Sequence, residues 1–343
     1  MTTLLSICIP VFHAEGTLQR CLDSVWEQNK DFTDWEVLVV NDGSSGCDDS
    51  GRKCKKIVKD FRKAHKLSKK QVIYLEHRSN LGLLEARRTL VEAAHSDFIL
   101  MLDSDDCLLP GALKNLYEAE CKSGADIVHA GSEIFFDESK VIDESEMKKR
   151  VQEMHKKANN LYEGQLCGSD IFNNYLVLGN HVGFLWAKLI RRELYLQALS
   201  FIPFTHCVMA EDFLQYFFIA LLAKKYVGIK TPVCRYTIDT GISSNHQIKD
   251  LEGWEKIAST ANVFTILFEA VKEFSAKGLE PLSMEQMEAL RLSSRSYLVN
   301  NIKQMRSQVI PELQSQAREI LCDYWGTDFV EMMEKAMDKA MFI

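Results

Sequence analysis

Apolar residues in the first part of the chain fall into short runs separated by segments of helical spacing. Leu4–Val11, Trp35–Asn41, Gln71–His77, Asp97–Asp103 and Asp126–Phe136 are β-rich and almost wholly apolar, which predicts strands covered on both faces. Thr17–Gln28 has helical spacing, a Lys-rich helix is expected between the second and third strands, and Leu83, Ala86, Leu90 and Ala93 predict a helix over Gly82–Ala94. A further helix is expected to open near Pro110, since proline suits a first helical position. Strands alternating with helices predict parallel pairing through right-handed crossovers.

From Asp137 to Gln165 this pattern breaks. The charged stretch carrying Glu144, Glu146, Lys148, Lys149 and Arg150 predicts a helical insertion or a loop. Helix and strand signals resume from Cys167 to about Ile238. Beyond Asp250 no strand signal remains, and Leu251–Phe274, Ser283–Gln308 and Pro311–Met341 predict three or four helices. Composition adds exclusions. Hydrophobic residues are 46% and charged residues 26% of 343, which rules out a disordered chain. The net charge of −7 argues against a dedicated nucleic-acid binder. No apolar run approaches a membrane span; the nearest, Phe213–Ala223, reads as a buried helix, and the start of the chain lacks the basic, apolar pattern of a leader. Ten cysteines without a C-x-x-C pair indicate neither a zinc site nor a disulfide scaffold, so a reduced, cytoplasmic protein is expected.

In a parallel sheet, ligands gather at the carboxyl ends of the strands. Pro10, Val11, Phe12, His13 and Glu15 follow the first strand, and Asn41, Asp42, Gly43, Ser44 and Ser45 the second. His77, Arg78, Asn80 and Gly82 follow the third, and Asp103, Ser104, Asp105 and Asp106 the fourth. All four sets are expected on one edge, as a single cleft. Three carboxylates within four residues repel one another, and an oxygen-preferring cation such as Mg²⁺ or Mn²⁺ relieves that repulsion while holding substrate phosphates. With 21 Asp in the chain a D-x-D is expected about once by chance, and it occurs once. Asp106 alone reads equally well as a strand end or a helix cap. Position lifts the triplet above chance: it ends the apolar run Phe98–Leu102, on the edge that also carries Asp42 and Arg78.

Together these residues resemble the family 2 glycosyltransferases, whose GT-A fold is a Rossmann-like α/β architecture with a mostly parallel sheet flanked by helices. The matching stretches, in family order, are SICIPVFHAEGTLQRCLDSV, EVLVVNDGSS, NLGLLEARR, FILMLDSDDCLLP, LWAKLIRREL and AEDF, within about residues 4–245. On this resemblance residues 1–248 form the nucleotide-sugar-binding and catalytic domain, and 249–343 an all-helical C-terminal module. The implied reaction moves a sugar from a nucleotide diphosphate-sugar, expected to be UDP-linked, to an acceptor hydroxyl with inversion at the anomeric carbon. Its setting is bacterial polysaccharide or glycoconjugate synthesis. Carried over by residue, Pro10, Val11, Phe12 and Glu15 line the nucleoside pocket, and Asp42 hydrogen-bonds the base, typically at uracil N3. Arg78, Gly82 and Arg87 lie beside the nucleotide and sugar. Asp103, with Ser104 beside it, approaches the ribose and the metal, and Asp105 ligates Mn²⁺ or Mg²⁺. Trp186, Lys188 and Glu211 stand on the acceptor side, and Asp212 is the catalytic base. Without the resemblance, Glu211 and Asp212 read equally as the acidic first turn of a helix.

Three stretches depart from the family pattern. Phe12-His13 replaces the usual Tyr-Asn, and Gly46 and Cys47 lengthen the loop before Asp48. No arginine follows Tyr236, where Asp239 adds a negative charge, so Arg235 or His246 is left to compensate in a lid expected over 237–247. Other features change less. Residues 52–70 hold ten Lys/Arg and one Asp, a solvated helix face first and a membrane-surface contact second. The expected acceptor is a saccharide or lipid-linked saccharide. A peripheral contact at the inner membrane surface and a homodimer stay open, and no nucleic-acid partner is expected. His129, His181 and His206 read as packed or partly buried rather than as ligands, and Met332, Met333, Met337 and Met341 as packing. G-x-G-x-x-G, G-x-x-x-x-G-K-[ST] and G-x-S-x-G do not occur, so dinucleotide, P-loop and serine-hydrolase chemistry lose their usual support. The rival readings are a catalytically silent nucleotide-sugar-binding protein and a sugar nucleotidyltransferase. The latter usually has a Gly-rich, Arg-containing loop after the first strand, where this chain has PVFHAEG.

Overall fold

Leu5–Val11 (β1) and Trp35–Asn41 (β2) are buried at every position, as strands covered on both faces must be. The computed structural model describes residues 4–136, 144–238 and 247–340. Two buried polar residues inside these strands, Ser6 and Glu36, satisfy one another. Ser6 and Glu36 are register partners, Ser6 Oγ donates to Glu36 Oε1 at 2.6 Å, and the His95 amide donates to the same oxygen at 2.7 Å. Val72–Glu76 (β3) pairs with β2, and Phe98–Met101 (β4) pairs with β1, all in parallel.

Cys107–Leu108 (β5), Ile127–Phe135 (β6), Gly164–Cys167 (β7), Lys188–Arg191 (β8) and Lys225–Thr237 (β9) complete the sheet. Its order is β3-β2-β1-β4-β8-β6-β9-β5, with β7 paired to β9. The sheet is therefore mixed. The parallel expectation holds from β3 to β4 and again for β6 and β9. β8 enters antiparallel between β4 and β6, and β5 and β7 run antiparallel to β9. An apolar run identifies a buried strand but carries no information about its direction, which is set by the connection that brings the chain back.

Helices Glu15–Trp26 (α1), Cys54–Ala64 (α2), Leu83–Ala93 (α3), Ala112–Ser123 (α4), Glu144–Ala158 (α5), Ser169–Phe172 (α6), Arg192–Leu199 (α7) and Glu211–Leu222 (α8) complete this part of the chain. α1 buries Leu18, Cys21, Leu22 and Val25, and α2 buries Cys54, Ile57, Val58 and Phe61. Each set is one stripe at three- and four-residue spacing, and each large apolar side chain so buried contributes about 1.5–3 kcal/mol. α5 realises the helical alternative for the charged stretch, whose residues 137–143 lie outside the described ones.

The chain divides into two compact units, residues 1–206 with 215–242, and residues 207–214 with 243–343. The second holds Leu251–Ala258 (α9), Ala261–Lys272 (α10), Met284–Gln308 (α11), Gln314–Trp325 (α12) and Thr327–Ala340 (α13). Its core is Trp254, Ile257, Leu298, Ile302, Leu321 and Val330. Trp254 Nε1 donates to the Ala317 carbonyl at 2.7 Å, which settles the polar atom of a fully buried ring. Ser283 and Gln286 form a capping box at the start of α11. Met333 and Met337 pack on this core, Met332 is exposed, and Met341 lies outside the described residues. Among the described residues no helix is long and apolar enough to cross a membrane.

Candidate active site

Parallel pairing brings the ends of β1, β2, β3 and β4 to one edge: Val11 is level with Asn41, and Asn41 with Glu76. The polar sets that follow these strands therefore meet. Pro10 and Val11 are buried at the end of β1, while Phe12 projects at the rim, 44% exposed, with its ring against His13. Glu15 opens α1 but is buried, and it accepts a hydrogen bond from Ser44 Oγ. The His13 amide donates to the same Ser44 oxygen at 3.2 Å, so the loops after β1 and β2 are tied together.

Asp42 is 2% exposed. Its Oδ1 accepts from the Leu81 amide at 2.9 Å and lies 2.6 Å from His77 Nδ1; its Oδ2 accepts from Asn80 Nδ2 at 2.8 Å and from the Gly82 amide at 3.0 Å. His77 Nε2 is 3.0 Å from Thr89 Oγ1 on α3. Gly82 is buried with φ near 90°, a conformation that suits glycine. Arg78, between His77 and Asn80, is exposed.

Asp103, Ser104, Asp105 and Asp106 follow β4. Arg87 is almost fully buried and donates from Nη2 to Asp103 Oδ1 at 3.2 Å. Arg20, from α1, donates to the Asp105 carbonyl at 2.6 Å and reaches Thr237 Oγ1 at 3.4 Å. Thr237 at the end of β9 donates its hydroxyl to the Asp105 carbonyl at 2.9 Å and its amide to Asp106 Oδ1 at 2.8 Å. Asp106 is wholly buried. Burial, and then the charges of Asp103 and Asp105, push its carboxyl well above the usual carboxylate range. The third carboxylate thus points inward as a brace, and Ser104 is buried beside it. Asp103 and Asp105 are only partly buried. Among the described residues no group of three or more His, Cys, Asp or Glu side chains is placed to close on an ion. Two partly buried carboxylates two positions apart suit an oxygen-preferring ion such as Mg²⁺ or Mn²⁺ that completes its shell with phosphates and water.

Trp186 is buried in a stack, its ring 4.9 Å from Phe184 and 4.8 Å from Tyr236. Lys188 is fully buried in β8; its ammonium donates to the Phe184 carbonyl and lies 4.9 Å from the Tyr216 ring centroid. His129 and His181 are buried, as expected: His129 Nδ1 is 2.8 Å from Tyr226 Oη, and His181 stacks on the Tyr226 ring. Burial first, then Lys188, lowers the His181 imidazole to about 3, so it is neutral. His206 is exposed, against the expectation of packing, because it lies in a loop ahead of α8. Arg235 is engaged by Glu133 at 3.0 Å. Asp239, His246 and most of the expected lid lie outside the described residues.

Glu211 and Asp212 form the acidic first turn of α8 and group with the second unit. Both charges bear on Tyr297 of α11, whose phenol is raised by burial first and by Asp212 and Glu211 next. Four non-glycine residues among those described have positive φ, and three of them, His13, Ala187 and Ala210, adjoin expected site residues. Such conformations cost about 1–3 kcal/mol each and collect where a structure needs a side chain aimed in a set direction. Sequence reasoning gave Arg20 no role of its own and took Thr237 only as the start of the expected lid. Arg20 reaches Asp105 across 85 positions, and neither has a local pattern that marks it.

The sequence profile described as Glycosyl transferase family 2 matches residues 6–195. Glycosyltransferase GlyA of Streptococcus pneumoniae is 32% identical over 136 residues, 39% of this chain and 17% of that protein. The chain spans only 17% and 34% of the first curated relatives' own length. Among solved structures, S. aureus TarS 1-349 in complex with UDP-GlcNAc superposes with a TM-score of 0.54 at 18% identity, covering 97% of this chain and 92% of that one. The mannosyltransferase PcManGT of Pyrobaculum calidifontis, in complex with GDP-Man and Mn²⁺, gives 0.52 at 13% identity, covering 98% and 80%. At these identities the likeness speaks to fold, which is the GT-A architecture with a mixed sheet and a helical C-terminal region.

Proposed function

This chain belongs to glycosyl transferase family 2, and from that premise we propose that it is a metal-dependent, inverting glycosyltransferase. It takes a sugar from a nucleotide diphosphate-sugar, UDP-linked, and passes it to an acceptor hydroxyl in polysaccharide or glycoconjugate synthesis. One observation carries the reading: the four parallel strands end on a single edge, and that edge carries the Arg87–Asp103 pair, the Asp105 turn and exposed Arg78. The nucleotide-sugars held by the two structural relatives, one of them with Mn²⁺, support it.

In this reading Pro10, Val11, Phe12 and Glu15 border the nucleoside, and Arg78, Gly82 and Arg87 flank the nucleotide and sugar. Asp105, with Asp103, would hold Mn²⁺ or Mg²⁺, and a bound ion offsets the charge that develops on the departing diphosphate. Asp212 accepts the proton of the acceptor hydroxyl as its oxygen bonds to the anomeric carbon and the bond to the diphosphate breaks. Asp212 stands in the first turn of α8, where the helix dipole favours negative charge. Trp186, Lys188 and Glu211 are assigned to the acceptor side. The basic outer face of α2 supplies a peripheral contact to an anionic membrane carrying a lipid-linked acceptor.

The test is thermal melting with nucleoside diphosphates, with and without Mn²⁺. UDP should raise the melting temperature, and more so with Mn²⁺; Asp105→Asn should remove the metal-dependent part. Asp212→Asn should abolish transfer and keep the nucleotide-induced shift, whereas an active Asn variant takes the base role away from Asp212. If no nucleotide shifts melting in either condition, the donor and metal assignments both fall. Nucleotide binding without transfer or donor hydrolysis would favour the silent binding protein.

A further inference from the structure

Arg20, Ser24 and Gln28 stand four positions apart, so they share one face of α1 and of the short helical turn, Glu27–Lys30, that continues it. All three bond to main-chain atoms of a single segment. Arg20 Nη2 donates to the Asp105 carbonyl at 2.6 Å, the Leu108 amide donates to Ser24 Oγ at 3.0 Å, and Gln28 Nε2 donates to the Leu109 carbonyl at 3.0 Å. Gln28 Oε1 also accepts from the Leu113 amide at 3.3 Å. Cys21, beside Arg20, places its thiol sulfur 3.6 Å from the Asp103 carbonyl oxygen. The order of these contacts along the helix follows the order of residues along the segment, so α1 holds the turn after β4 by its backbone.

The contacts differ in burial. Gln28 is 1% exposed and ties main-chain groups sealed from water, so its loss endangers the fold. Arg20 is exposed and ends the row beside the two partly buried acids, Asp103 and Asp105. β9 meets it there. Thr237 donates its hydroxyl to the same Asp105 carbonyl at 2.9 Å and its amide to Asp106 Oδ1 at 2.8 Å. A carbonyl oxygen has two lone pairs, and Arg20 and Thr237 supply a donor to each. The turn is closed from within by the Asp106 amide, which donates to the Asp103 carbonyl at 3.0 Å. Asp105 is thus clamped at its main chain by residues 85 positions before it and 132 after it. A carboxylate that meets an ion and a diphosphate together binds them more tightly when its backbone is already ordered, because ordering it on binding lowers affinity.

We propose that Arg20, with Thr237, is a positioning residue for the donor site. The pair fixes the main chain of Asp105, and through it the approach of the Asp105 carboxylate to Mn²⁺ and the diphosphate, while Arg20 itself touches neither. This rests on the donor and metal assignment of the preceding section.

Calorimetry of UDP binding to the full chain in excess Mn²⁺ tests this as a double-mutant cycle. Arg20→Ala should weaken UDP by about threefold to tenfold, the effect of one lost hydrogen bond, and so should Thr237→Val, which removes the hydroxyl and keeps the shape and the amide. Thr237→Ser, which keeps the donor, should stay within about twofold of the wild type. In the Asp105→Asn background, where the metal-dependent part of the affinity is already gone, adding Arg20→Ala should weaken UDP by less than about twofold. The same loss in both backgrounds overturns the proposal, because Arg20 then meets the nucleotide directly. Unchanged affinity in folded Arg20→Ala overturns it too, leaving Arg20 a surface donor only. If Thr237→Val does not fold, the exposed Arg20 decides. A wild-type chain whose UDP affinity is the same in Mn²⁺ and in EDTA defeats the metal assignment, and this proposal with it. A chain that keeps its full Mn²⁺ effect without Arg20 defeats this proposal alone.

Discussion

Asp106 illustrates how far a residue's role depends on where its side chain is turned. In sequence it is one of three acids in a row of four. In the structure it is sealed inside, its oxygen holds the Thr237 amide, and its carboxyl favours the neutral form. Asn has the same shape, is neutral and keeps a carbonyl oxygen for that amide. Asp106→Asn should therefore change stability in urea by under about 1 kcal/mol, whereas Asp106→Ala, which strands the amide, should cost about 1–3 kcal/mol. A loss in Asp106→Asn as large as in Asp106→Ala would mean that the charged form is the one the fold uses. Asp103 and Asp105 have the same composition-level description and are not sealed. Composition could bring the three together but could not sort them, because burial is a property of the surrounding strands.

At the scale of elements, periodicity was informative. β2 spans the residues its apolar run predicts, and α3 and α11 lie within a residue or two of theirs, because a stripe at helical spacing or an unbroken apolar run is itself the cause of burial. The same reasoning explains α2. Its buried stripe fixes the helix, so the lysines at 53, 55, 56, 59, 63, 66, 69 and 70 are all exposed there and just beyond it. Near an anionic bilayer each lysine is worth about 1 kcal/mol, and the attraction is screened by salt. The chain should co-sediment with vesicles containing phosphatidylglycerol at low salt and release at about 0.5 M, where the screening length has shrunk to a few ångströms. Replacing Lys59, Lys63, Lys66 and Lys70 with Gln should lower partitioning more than tenfold. Binding that ignores salt and survives those changes, or no binding at all, would leave this face merely solvated.

Over the whole molecule, Asp212 belongs with the helical unit although it lies in the stretch that resembles the catalytic domain. Its neighbour Phe213 packs on Phe264 and Tyr297, at ring separations of 5.5 and 5.7 Å. Truncating a buried phenylalanine costs about 3–5 kcal/mol, so Phe264→Ala should reduce transfer while UDP still shifts melting of the first unit. Equal loss of both would tie nucleotide binding to the helical unit as well. By itself the sequence determined much of the succession of strands and helices, the helical character of the last hundred residues, and the position of Asp42, Arg78, Asp103 and Asp105 just after apolar runs. Each follows from local periodicity, since burial of one face is encoded in neighbouring positions. Only the tertiary structure decided the antiparallel entry of β8, the filling of Asp42 by four donors, the inward turn of Asp106 and the reach of Arg20 to Asp105. Those depend on side chains that meet from distant positions, where hydrogen-bond geometry and exclusion of water, rather than spacing along the chain, select the partner.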